Sequence, residues 1–115
     1  MSINLTEERA YARAISDDLQ KVMEGTYTND DGEEVDLYDY LNAEVLDVEY
    51  ILNSDFTLRG VRLYVTLGGP TAWIDTERDC VVCHWGTNSG EWLMPYGVSD
   101  EINDLYAELI ADRFR

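Results

Sequence analysis

The residues with the most obvious chemical potential are Cys80-Val81-Val82-Cys83-His84. They spell a c-type haem attachment site, in which two thiols hold the porphyrin and the histidine ligates iron. The pattern around them opposes that chemistry. Cys80 to Trp85 reads as a strand, and strand alternation sends Cys80 and Cys83 to opposite faces. Zinc needs about four ligands. His84 is the only histidine, so a carboxylate or a second chain would have to complete the set. A redox dithiol asks for a cysteine at a helix N-terminus, and that context is absent. The expectation is two small thiols buried in a strand, with no cofactor and no metal.

Other reactive sets are weaker still. The turn Asn29-Asp30-Asp31-Gly32-Glu33-Glu34 invites comparison with a calcium loop. Placing Gly32 at the sixth position of such a loop puts Tyr27 at the first and Tyr38 at the last, where carboxylates are required. His84 has no evident nucleophile partner for a hydrolytic triad. Gly68-Gly69-Pro70 lacks the strand–loop–helix setting and the lysine of a phosphate cradle. A carboxylate pair can do acid–base work, but 24 acidic residues single out no pair. The chain reads as non-enzymatic.

What stands out is charge. Against those 24 acids there are 8 bases in 115 residues, for a formal net charge of −16. Lys21 and Arg59 bracket a window without a cation, and that window holds eleven carboxylates. Asp30, Asp31, Glu33, Glu34, Asp36, Asp39, Glu44, Asp47 and Glu49 are the candidate partner-binding residues within it. Leu37, Tyr40, Leu41, Val45, Val48, Tyr50 and Leu52 are woven among them. A like-charge run without hydrophobics is disordered; this one has enough apolar side chains to be pinned to a core. Such a surface repels nucleic acid and anionic membranes, and its natural partner is basic. Duplex DNA carries about one negative charge per 1.7 Å of axis, and its binding proteins line up lysines and arginines to match. A fixed row of carboxylates at similar density can occupy the same channel. Asp36 to Glu49 is the segment where helical and strand periods would hold that row still. The competing reading is a solvated acidic surface of a salt-loving host, which one lysine beside seven arginines also fits.

The elements that must position these residues follow from periodicity. Thr6 can cap a helix over residues 7–24, with Glu7 and Glu8 complementing its dipole and Gly25 closing it. Tyr11, Ile15, Leu19 and Val22 or Met23 form its apolar stripe. Residues 26–35 read as a small hairpin around Asp31-Gly32. Asp36 can cap a short helix running to about Asn42, with Leu37, Tyr40 and Leu41 inward. From Glu44 the period is two: Leu46, Val48, Tyr50 and Leu52 share one face, Asp47, Glu49 and Ile51 the other. Val61–Leu67, Thr71–Thr76 and Cys80–Trp85 are three further strands. Gly86 to Gly90 reads as a loop, with a short extended piece after it. Ser99 would cap a last helix with Ile102, Leu105, Tyr106, Leu109 and Ile110 buried, and Arg113 and Arg115 at its C-terminal end. Trp73, Trp85, Trp92, Tyr64 and Tyr96 fall in this second half, as core or as an aromatic binding face. The fold class is therefore α+β: one domain, a four-stranded antiparallel meander packed with N-terminal, short middle and C-terminal helices. No stretch reaches transmembrane length and the N-terminus lacks a signal-peptide pattern. The expected location is the cytoplasm, with reduced thiols.

In size, charge and the acidic window, with Asp36-Leu37-Tyr38-Asp39-Tyr40-Leu41 feeding a strand, the chain resembles the DNA-mimicking anti-CRISPR and anti-restriction proteins of phages and other mobile elements. Those families share no diagnostic motif, so no residue positions carry over. The resemblance implies a stoichiometric inhibitor that sits on the basic DNA-binding surface of a CRISPR effector or restriction complex in the host cell cytoplasm. It implies no catalysis and no direct nucleic-acid binding. The alternative is a non-catalytic interaction module that binds through its tryptophans.

Overall fold

Residues 6–113 are described by a computed structural model. Helix α1 spans Glu7–Glu24 and α2 Leu37–Glu44; then come strands β1 Asp47–Leu52, β2 Leu58–Thr66, β3 Thr71–Asp75, β4 Cys80–Trp85 and β5 Asn88–Leu93, and helix α3 Val98–Arg113. The strands lie in one sheet in chain order, every neighbour antiparallel. The sheet thus has five strands, not the four expected. Gly86 to Gly90 is not a loop: only Gly86 and Thr87 lie between β4 and β5. Gly86 takes φ 64, the positive value that a tight primed turn needs at its first central residue. Asn88-Ser89-Gly90 is polar enough to look like loop, but its backbone is held by pairing with Cys83, His84 and Trp85.

Register explains where the helices go. Val48, Leu63, Ile74, Val81 and Trp92 lie across from one another, as do Ala72, Cys83 and Gly90. They make one face of the sheet, and all join the single apolar core or pack on it except Gly90, which has no side chain. Ala12, Leu19 and Val22 of α1, Leu37, Tyr40 and Leu41 of α2, and Ile102 and Tyr106 of α3 complete that core. The opposite face carries Asp47, Glu49, Arg62, Tyr64, Trp73, Asp75, Cys80, Val82, His84 and Glu91. Cys80 and Cys83 do point to opposite faces, and both are buried.

The caps read from sequence hold at α1 and α2. The Thr6 hydroxyl accepts from the Arg9 amide, Gly25 sits at φ 73, and the Asp36 side chain accepts from the Asp39 amide. A bridge between Thr28 and Glu34 closes the small hairpin. Three boundaries move. Helix α2 runs to Glu44, β1 begins only at Asp47, and β2 starts at Leu58 rather than Val61. Ser99 lies inside α3 instead of capping it; its hydroxyl donates to Asp79. Arg115, expected at the end of α3, lies outside the described residues, as does the side chain of Arg113.

The stripe of α1 is rotated from expectation. Ala12 and Ser16 are buried, while Tyr11 and Ile15 are half-buried and Met23 is exposed. The cause is close approach: a Cβ at Gly90 would lie 2.5 Å from the Arg9 amide nitrogen. A glycine in a strand marks where another backbone comes near, and small residues on the helix let it. The Ser16 hydroxyl then reaches the Leu93 carbonyl at 2.7 Å.

Candidate functional site

The nine carboxylates singled out from sequence do not form one row. At the hairpin, Asn29 Oδ1 accepts from the amides of Asp31 and Glu33, and Asp30, Asp31, Glu33 and Glu34 stand exposed around that turn. Asp47 and Glu49 project from edge strand β1 on the face away from the helices. The window that lacked cations in sequence does not lack them in space. Arg62 on β2 pairs directly with Glu49 in register, and the Tyr64 hydroxyl donates to the Glu49 carboxylate. That bond holds the Tyr64 hydroxyl above its ordinary pKa, because ionising it would set two anions together. Glu44 looks another way, into a recess with Asp18 and Tyr40.

Asp36 is the residue that folding places in new company. It lies on a groove of about 570 Å³ between α1, α2 and α3, whose other carboxylates are Glu101, Asp104 and Glu108 of α3. The groove has an apolar lining of Met23, Leu37 and Leu105, with Tyr38 half out in solvent at 53% exposure. Sequence reasoning missed the α3 contribution. Its signal was present: positions 101, 104 and 108 follow the three- and four-residue spacing that sets side chains on one helical face. What the spacing withheld was that this face meets Asp36.

The cations lie elsewhere. Arg9 and Arg13 stack over the Trp92 ring at 5.3 and 5.0 Å. Arg59 pairs with Glu77 at 2.7 Å, Arg62 with Asp75 at 3.4 Å, and Arg78 with Glu91. Lys21 lies in the last turn of α1 and acts on Asp18. Among the described residues, none of them lines the groove. The fold therefore sorts its charge: ion pairs run along the sheet, and the carboxylates where α2 and α3 meet have no cation beside them among the described residues.

The tryptophans divide as well. Trp73 lies on the open face, between Tyr64 at 5.6 Å and His84 at 4.8 Å. Trp92 is on the helix face beneath the two arginines, and Trp85, at the end of β4, shares the side of Val81 and Cys83 but is exposed. Tyr96 stands fully exposed beyond β5. They do not make a single aromatic surface.

The thiols are poor nucleophiles. Burial pushes Cys80 up to about 11 and raises Cys83 as well, so neither is a thiolate at neutral pH. Among the described residues, no three His, Cys, Asp or Glu side chains gather as a metal site would need. Nor is any described helix long and apolar enough to cross a membrane.

No family model matches the chain, and no curated protein or solved structure matches it.

Proposed function

We propose that the chain is a non-catalytic binding protein whose carboxylates stand in for DNA on a basic protein surface, in the manner of a stoichiometric anti-CRISPR or anti-restriction inhibitor acting in the host cytoplasm. The observation that carries this reading is the sorting of charge. Asp36, Glu101, Asp104 and Glu108 share one groove with no described cation among them, while the arginines of the sheet are held in ion pairs.

Carboxylates held by helices and a cap need little ordering when a partner arrives, which spares the entropic cost that a loose acidic tail carries. Apolar side chains between the charges suit the aliphatic stems of lysine and arginine. Of the residues expected from sequence, Asp36 lines this groove; Asp39 on α2 and Asp30, Asp31, Glu33 and Glu34 on the hairpin are not among its lining residues and add to the net charge of the chain. Asp47 stands on the other face of the sheet, away from the groove. Glu49 and Glu44 contribute less, because one is bound by Tyr64 and the other turns toward a recess.

The test is competition. Purified CRISPR effectors and restriction complexes are loaded with labelled target DNA and titrated with the protein at low and high salt. The expected result is stoichiometric displacement of DNA from at least one of them, weakening steeply as salt rises. An effector that captures the protein and keeps its full affinity for DNA would refute mimicry.

A further inference from the structure

We infer that the free edge of β1 takes up an extended basic segment of the partner as a sixth strand of the sheet; this rests on the reading above for the sign of the partner's charge. The sheet ends at β1 on one side and at β5 on the other. An edge strand offers a row of backbone donors and acceptors to any chain that can pair with it. The β5 side is overlaid by α1, whose backbone crosses at Gly90 and whose Ser16 hydroxyl donates to the Leu93 carbonyl. No described strand pairs with β1 on its outer side.

Hydrogen bonds show which groups the β1 edge presents. Val61, the partner of Tyr50 in the ladder, spends its own backbone on the β3 side: its amide donates to the Thr76 hydroxyl at 2.8 Å, and its carbonyl accepts from the Thr76 amide at 3.0 Å. Bonded and non-bonded pairs alternate along an antiparallel ladder, so the amides and carbonyls of Val48 and Tyr50 face outward. The Val48 amide agrees, donating to the Asp47 carboxylate at 2.9 Å. A recess of about 270 Å³ follows this edge, lined by Val45, Leu46, Asp47, Val48 and Tyr50. Leu46 stands 63% exposed beside it.

Side chains decide the occupant, since main-chain bonds give an added strand its affinity and alternate side chains its specificity. On the helix side Val48 and Tyr50 pack on the core but stay part-exposed, and apolar side chains of an added strand would extend that packing. On the open side Asp47 and Glu49 are exposed. β1 carries no cation of its own, and Arg62, opposite Glu49, is held by the buried Asp75 carboxylate at 3.4 Å. Opposite charges facing one another across strands are favourable and like charges are not. The fitting strand therefore alternates lysine or arginine with apolar residues. A second copy is the wrong occupant, because it brings a further Asp47 and Glu49 to the edge of a chain already at −16. As the strand docks, its carbonyl takes the Val48 amide and frees the Asp47 carboxylate for an incoming cation.

The experiment is a backbone NMR titration of the full chain with a short peptide that alternates arginine and valine. Its controls are a scrambled peptide of the same composition and two N-methylated forms. Expected are saturable shifts centred on residues 46–51, with slowed hydrogen exchange at the Val48 and Tyr50 amides. The valines of the added strand lie opposite Val48 and Tyr50, so methylating their amides should weaken binding about tenfold. Methylating the arginine amides, which face away, should leave it nearly unchanged. Asp47→Asn with Glu49→Gln should weaken it about tenfold at low salt. Equal binding of the scrambled or valine-methylated peptide, shifts centred on the groove at Asp36, or dimerisation of the free chain through β1 would overturn the inference. The titration involves no effector. A chain that adds this strand yet displaces no DNA would keep the edge site and remove the mimicry; displacement of DNA without uptake of the peptide would do the reverse.

Discussion

Neutralising the acidic groove separates a built surface from mere net charge. The variant is Asp36→Asn, Glu101→Gln, Asp104→Asn and Glu108→Gln, each nearly isosteric. Asparagine is as good an N-cap as aspartate, so the bond from Asp36 to the Asp39 amide survives. On α3, Asp104 and Glu108 are like charges four residues apart, whose removal relieves a few tenths of a kcal/mol of repulsion. Glu101 stands in the first turn, where a carboxylate gives about 0.3–1 kcal/mol. These nearly cancel, so the thermal midpoint should hold within a few degrees. Binding should not. A unit cation about 6 Å from one carboxylate gains about 0.7 kcal/mol at the dielectric constant of water. Four such carboxylates give about 2.8 kcal/mol, about a hundredfold in Kd at low salt. With a Debye length of about 8 Å the gain halves, to about tenfold at physiological ionic strength. The control neutralises Asp30, Asp31, Glu33 and Glu34 on the hairpin, an equal change in net charge. Fluorescence anisotropy against an effector that captures the protein reads both variants at two salt concentrations. The groove variant should lose at least several-fold more affinity than the control. Equal losses would refute the reasoning, since net charge alone would then account for binding.

Other outcomes follow from the fold. Gly90→Ala forces a Cβ into the backbone of α1 at Glu8 and Arg9, and urea denaturation should show a loss of about 1–3 kcal/mol. Asp36→Ala removes the α2 cap and should cost about 0.5–2 kcal/mol in the same measurement, where Asp36→Asn costs little. Arg62→Met removes the part-exposed guanidinium 3.4 Å from the buried Asp75 carboxylate, and should destabilise by about 1–3 kcal/mol. The Asp18 carboxyl is raised by partial burial, so folding favours its protonated form; that stability is fully present below the unfolded value, about 3.9, and is lost as pH rises through the folded one. Asp18→Asn should therefore stabilise the protein at pH 7 and have no effect on charge grounds below about pH 4, as chemical denaturation at the two pH values would show.

Much of the fold was legible because it rests on local chemistry. Thr6, Gly25 and Asp36 cap their helices through bonds to amides and carbonyls within a few residues, and the spans of β2, β3 and β4 stood out between turn residues. Strand β5 escaped because Asn88, Ser89 and Gly90 carry no apolar alternation. Their strand character comes from the ladder to β4, and Gly90 is explained only by a helix far away in sequence. The nine carboxylates were visible as a run between Lys21 and Arg59, but a run has no third dimension.

By itself the sequence determined the acidic charge and the α+β class, with carboxylates carried on folded elements, since composition and periodicity act residue by residue. Only the tertiary structure decided which charges are free. Pairing β1 with β2 put Arg62 opposite Glu49, and docking α3 beside α2 put Glu101, Asp104 and Glu108 with Asp36. The reason is physical: a Coulomb interaction depends on distance through space, and the contacts that set those distances join residues more than a dozen positions apart.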